Sequence, residues 1–225
     1  MDSLLFLILA LAHAALLLWG VRLVNRSGWR VAVLPVLVVA ALVYDNGVIA
    51  AGRLIGAGPV LEGLNAGRFW LHALVTPLLV LWSWDAVRRT GAPWAARAWA
   101  RWTAIAVAAA LVVVELATVT AALELQVRDE YGALSYASDH AGGPPPMVLT
   151  VAAVLVAAGV VVWRRQGWPW LFVSAALMTL GSGVPNPFPS GAATNLFEVL
   201  LLTGILATIA RQDATERHPA SSPQR

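Results

Sequence analysis

The chain has no cysteine and no lysine among its 225 residues, and only 12% of them are charged. Without cysteine there is no disulfide, no zinc–thiolate site and no thiol nucleophile. Without lysine there is no Schiff base, which excludes a retinal protein of the rhodopsin kind. A soluble domain carries about 25% charged residues. At half that level the chain cannot cover a globular surface with charge, so a lone soluble domain is excluded. Its 59% hydrophobic content excludes disorder, which needs low hydrophobicity and high charge. A P-loop, a Rossmann glycine fingerprint, HExxH and a Gly-x-Ser-x-Gly elbow are all missing, so nucleotide chemistry and serine-triad hydrolysis have no support. All 15 basic residues are Arg, and they lie between apolar segments rather than in one patch. Membrane topology explains that better than nucleic acid, which is not an expected partner.

What is present is a series of apolar runs. About twenty apolar residues span a bilayer core. Seven such segments are predicted, at about 3–22, 31–55, 69–87, 102–125, 147–163, 168–184 and 193–210. They are continuous Leu/Val/Ala runs, not the alternating ten-residue strands of a barrel. The expected fold is an all-α, polytopic bundle of seven transmembrane helices over 1–211, multi-pass in the cell membrane. A polar, disordered cytoplasmic tail is expected at 212–225.

Twelve Arg flank one side of these segments; only Arg53, Arg68 and Arg128 flank the other. Positive residues stay cytoplasmic, so the N-terminus is expected outside and the C-terminus inside. Met1-Asp2 precedes the first segment and Arg22 follows it. A cleaved signal peptide has the opposite charge order, so this helix is expected to remain. Residues 128–146 read as a long outer loop, and 181–191 as an ordered outer turn. Seven Trp, namely Trp29, Trp94, Trp99, Trp102, Trp163, Trp168 and Trp170, read as a cytoplasmic interfacial belt. Gly52 and Gly56 form a small-xxx-small pair, the usual mark of close helix packing.

Ionisable groups inside a span are costly and point to function. At about 1.5 Å per residue, Asp45 lies roughly 22 Å above Arg30, and Glu115 roughly 21 Å above Arg101. His72 lies roughly 6 Å in from the outer edge, and Glu198 roughly 9 Å. The four share one layer in the outer half, and they are the expected catalytic groups. Helical spacing puts Arg53 on the face of Asp45, lines up Arg68, His72 and Thr76, and pairs Asn195 with Glu198. Tyr44, Asn46, Arg53, Arg68, Trp70 and Asn195 are the expected substrate-binding residues. The polar stretch from Tyr44 to His72 would form the wall and lid of a cavity opening outward. His13, alone near mid-membrane, reads as a packed core residue. Glu124, Asp129, Glu130, Asp139 and His140 read as solvated loop charges.

A carboxylic acid in an apolar pocket favours its neutral form and can donate a proton. Such a pocket, lined by aromatic faces that stabilise a cation, suits proton-initiated chemistry on an alkene or epoxide. In length, helix count and acid inventory the whole chain resembles the small seven-helix membrane-bound terpene cyclases, including those acting on prenylated indoles. Asp45, Glu115 and Glu198 match their acids in kind. The aromatic–Glu pattern in an early helix of the fungal members has no counterpart here. The resemblance implies cyclisation of an isoprenoid or other lipid-soluble substrate, with neither cofactor nor metal. Three other readings stand beside it. One is a non-catalytic membrane scaffold or assembly protein, and another is a proton-linked transporter. The third is a metal-dependent lipid hydrolase using His13, His72, His140 and Asp45, although no His-x₃-His pair is present.

Overall fold

A computed structural model describes residues 2–120, 123–138, 146–183 and 192–217. Asp139, His140 and most of the predicted outer turn fall outside the described residues. Among the described residues the chain is all-α apart from one hairpin. Its helices are α1 (Asp2–Ser27), α2 (Val33–Ile55), α3 (Pro59–Val75), α4 (Leu78–Arg88), α5 (Ala98–Glu115), α6 (Pro146–Gln166), α7 (Trp170–Gly183) and α8 (Ala192–Arg217). Among the described residues, six helical segments are long and apolar enough to cross a membrane: α1, α2 with its preceding turn, α3–α4 together, α5, α6 and α8. This is compatible with a multi-pass membrane protein. The sixth predicted span, 168–184, forms the 14-residue α7, roughly 21 Å long at 1.5 Å per residue.

Three predicted boundaries need correction. The third span begins not at 69 but at Pro59, and it breaks at Thr76–Pro77. Pro77 has no N–H to give to the preceding turn, so the helix restarts there. The fourth does not run to 125. After Glu115 the chain makes a π-helical turn, Leu116–Thr120, and then enters strands β1 (Leu125–Glu130) and β2 (Ala133–Ser138). The strands pair antiparallel with Glu130 opposite Ala133. Tyr131 (φ 51°) and Gly132 (φ 90°) make the two-residue turn, as both central positions of a tight hairpin with positive φ require. Lastly, the tail expected to be disordered from Gln212 is helical through Arg217. Buried contacts hold it: Gln212 Nε2 donates to the Ala86 carbonyl at 3.0 Å and to Gln166 Oε1 at 3.0 Å. Arg217 binds Asp213 and the Arg26 carbonyl.

These contacts gather the ends of α1, α4, α6 and α8 at one end of the bundle, with Arg26, Arg88, Arg89 and Arg217. Trp29, expected in the interfacial belt, is instead buried there. Its Nε1 donates to Asp85 Oδ2 at 2.6 Å, and the Arg89 guanidinium stacks on its ring at 3.9 Å. Sequence reasoning passed over Asp85, which is buried and also paired with Arg88 at 2.6 Å.

The hairpin closes the opposite end. Asp2 N–H donates to the Tyr131 carbonyl, Ser3 to the Gly132 carbonyl, and Gly58 N–H to the Tyr136 hydroxyl. Gly52 faces this hairpin rather than another helix: a Cβ there would come within 1.8 Å of the Leu134 carbonyl oxygen. Gly56 is the C-cap of α2 with φ 80° and nothing near its Cβ position. The small-xxx-small reading therefore gives way to a strand contact and a helix stop. Close helix approach occurs elsewhere, where Gly159 of α6 meets the Phe172 backbone of α7. The core is the apolar interior shared by α2, α4, α6, α7 and α8, with Trp82 fully buried in it.

Candidate functional site

α2 carries Asp45 on the face turned toward α3. α3 runs antiparallel to α2 after the short turn at Gly56–Gly58, which brings Arg68 level with Asp45 across the helix pair. Arg68 Nε donates to Asp45 Oδ1 at 2.7 Å, and Arg68 Nη1 donates to Asn65 Oδ1 at 2.7 Å. Asn65 is fully buried, and its amide Nδ2 is tied to the Leu61 carbonyl at 2.7 Å. The guanidinium is thus held from two sides. One turn further along α3, His72 Nδ1 lies 3.3 Å from Thr76 Oγ1, at the break before Pro77.

Asp45, Arg68, His72 and Thr76 share a cavity of about 130 Å³ with Glu198 of α8 and Thr179 of α7. The rest of its wall is aliphatic, including Val38 and Leu42 of α2, Leu79 of α4, Val151 and Leu155 of α6, Met178 of α7 and Leu202 of α8. Glu198 Oε2 is shut off from solvent and has no hydrogen-bond partner among the described residues.

Three of the four expected catalytic residues therefore meet, and Glu115 does not join them. It is buried at the end of α5 and does not line the cavity. Counting along the helix put it in the shared layer, but α5 packs mainly on α4 and takes no part in the wall.

Arg53 is likewise not the partner of Asp45. At the last turn of α2 it is too near the helix end, and it binds the hairpin instead, through Asp129 and through the Gly132 carbonyl at 2.8 Å. That pair is half exposed, at 50% and 55%, against 16% and 23% for Arg68 and Asp45. Asp129, read as a solvated loop charge, is the anchor of that contact.

Of the expected binding residues, only Arg68 reaches the cavity. Tyr44 donates to the Leu64 carbonyl at 2.9 Å and so fastens α2 to α3. Asn46 is buried, donates to the Leu42 carbonyl at 2.9 Å, and accepts from Asn195 Nδ2 at 2.8 Å. That amide pair joins α2 to α8 and sets the height of Glu198, one turn further along. Trp70 is 47% exposed and faces a separate groove beside Glu62 and Leu125.

No protein family, curated protein or solved structure matches this chain.

The chemistry must therefore be read from the groups themselves. Among the described residues no three His, Asp or Glu side chains gather as a metal-binding group. His13 is fully buried, with Nδ1 2.9 Å from the Leu9 carbonyl, and His140 lies outside the described residues. Among the described residues no aromatic ring lines the cavity, and the side chains found where an aromatic wall was expected are aliphatic. What converges is an ion pair, an imidazole and one carboxyl oxygen without a partner. Such a set can bind a polar group and move a proton to or from it. Thr179 and Met178 of the wall went unnoticed in the sequence, because a Thr or Met in an apolar helix carries no signal of its own.

Proposed function

We propose that the chain is an integral enzyme of the cell membrane acting on an isoprenoid or other lipid-soluble substrate by proton transfer, of the kind that starts a terpene cyclisation. The observation that carries this reading is the partnerless Glu198 Oε2 in an aliphatic cavity beside the Asp45–Arg68 pair and His72. Glu198 is the acid that gives a proton to a double bond or ether oxygen of the bound substrate. Asp45, paired with Arg68, offsets the positive charge that follows. His72, or Glu198 once it has given up its proton, accepts the proton lost when the product forms. The test is mass spectrometry of lipid extracts from cells with and without the gene. A prenyl or other lipid species is expected to be converted only where the chain is present; identical lipid profiles under overexpression would overturn the reading.

The proposal includes a membrane orientation: seven passes, with the N-terminus outside and α7 counted as a pass. Reporter fusions after Arg97 and Arg165 are expected to report cytoplasm, and fusions at Gly63 and Pro187 the outside. If the Pro187 fusion also reports cytoplasm, α7 does not cross, the bundle has six passes, and the two chain ends share one side.

A further inference from the structure

We infer that the cavity takes the head of a single-chain lipid bearing a neutral hydroxyl or carbonyl oxygen, entering sideways from the bilayer between α6 and α7; this rests on the cavity being the functional site.

Three observations carry the inference. The first is size. A cavity of about 130 Å³ is close to the ~150 Å³ engineered cavity that holds one benzene. It accommodates roughly six heavy atoms by that comparison, which is the end of a chain and not a whole folded one. The remainder of the substrate has to lie outside the cavity.

The second is the rim. Leu149 of α6 lines the cavity and is also 55% exposed, and Thr179 of α7 lines it and is exposed as well. In a membrane-spanning bundle that rim looks onto lipid chains, so an alkyl or prenyl tail can stay in the bilayer while the head is held inside.

The third is the balance of donors and charge. Arg68 lines the cavity and binds Asp45 through Nε and Asn65 through Nη1, two bonds for a guanidinium that carries five N–H donors. Glu198 Oε2 is without a partner among the described residues. The cavity thus offers a donor and a carboxyl oxygen, the complement of a hydroxyl or carbonyl group. Asp45 already neutralises Arg68. A carboxylate head would therefore add an unmatched negative charge, and an ammonium head would meet the Arg68 donor. Either costs more than a neutral oxygen in an apolar wall.

The test uses the full chain in lipid nanodiscs. The probe is a hexadecanol carrying a diazirine on its third carbon and an alkyne at its tail, with labelled peptides mapped by mass spectrometry. Labels are expected on the cavity-lining Val148, Ala152 and Leu155 of α6 and on Ala175, Met178 and Thr179 of α7. Hexadecanol is expected to compete about tenfold or more better than hexadecanoic acid, hexadecylamine or hexadecane, as burial of an unmatched charge or loss of the head-group bonds requires. Ala152→Phe, which fills the wall, is expected to remove these labels while thermal unfolding stays unchanged. Equal competition by the acid, the amine or the hydrocarbon would overturn the inference. So would labels confined to outward-facing residues such as Leu177 and Leu180. Because the readout is binding, it separates from turnover. If the alcohol is selected but Glu198→Gln still turns over, the proton-transfer reading fails alone. If turnover depends on Glu198 but no head group is selected, the present inference fails alone.

Discussion

Glu198→Gln is expected to lower turnover on the lipid-soluble substrate by about 10²–10⁴-fold, the usual cost of losing one general acid. The amide keeps the size of the side chain and its hydrogen-bonding capacity, but it has no proton to give. Stability is expected to hold, because Glu198 Oε2 makes no hydrogen bond that the change would break. Glu115→Gln is the matched control. It removes a buried carboxyl from outside the cavity, and activity is expected to stay near wild type. Measured rates of both purified variants on a substrate found by lipid extraction decide the matter. Unchanged turnover for Glu198→Gln, or a large loss for Glu115→Gln alone, would move the acid away from the cavity.

The second large effect is on stability. Arg68→Met leaves Asp45 without its partner in a partly buried site, so the loss is expected to fall between the about 0–1 kcal/mol of an exposed pair and the about 3–5 kcal/mol of a fully buried one. Removing both charges with Asp45→Asn and Arg68→Met together is expected to restore most of that loss, since an apolar or neutral replacement of a buried pair is often close to neutral. Arg53→Met is the contrast. Its pair with Asp129 is half exposed on both sides, and exposed pairs contribute about 0–1 kcal/mol. Thermal unfolding of the four proteins in one detergent tests the ordering. Equal losses for Arg68→Met and Arg53→Met would mean that the Asp45–Arg68 pair is as well solvated as the surface one.

Helix content was legible because continuous apolar runs of about twenty residues leave few alternatives. The grouping of Asp45, His72 and Glu198 was legible too: counting along each helix put them level with one another, and the cavity joins them. Direction around the bundle was not legible. Counting cannot tell which neighbour a helix packs against, so Glu115 was counted into the layer but lies outside the cavity. The Asp45–Arg53 pairing failed for a related reason. Two residues eight apart share a face, but they lie about 12 Å apart along the axis, farther than the side chains reach. Arg68, one helix away, is in contact. The hairpin did leave a signal. Alternation in Leu125–Glu130 and Ala133–Ser138 around Tyr131-Gly132 fits two strands and a tight turn. Its charges and its place between apolar runs made it read as a loop. The helical extension to Arg217 left only a weak signal, because its hold comes from the carbonyl of Ala86, far away in sequence.

The ion pair between α2 and α3 also bears on how the chain is made. A lone Arg or Asp near the centre of a helix entering the bilayer costs about 2.5–3.5 kcal/mol in translocon-mediated insertion. α3–α4 is the least apolar of the six long segments, and it brings Arg68 with it. Asp45 is already in place on the preceding helix, only 23 residues earlier in the chain. Synthesis would therefore hold α2 and α3 at the translocon and release them into lipid as one hairpin, with the two charges already joined. Nascent chains truncated between Ile55 and Arg68 would leave Asp45 without its mate and be the ones most exposed to membrane quality control.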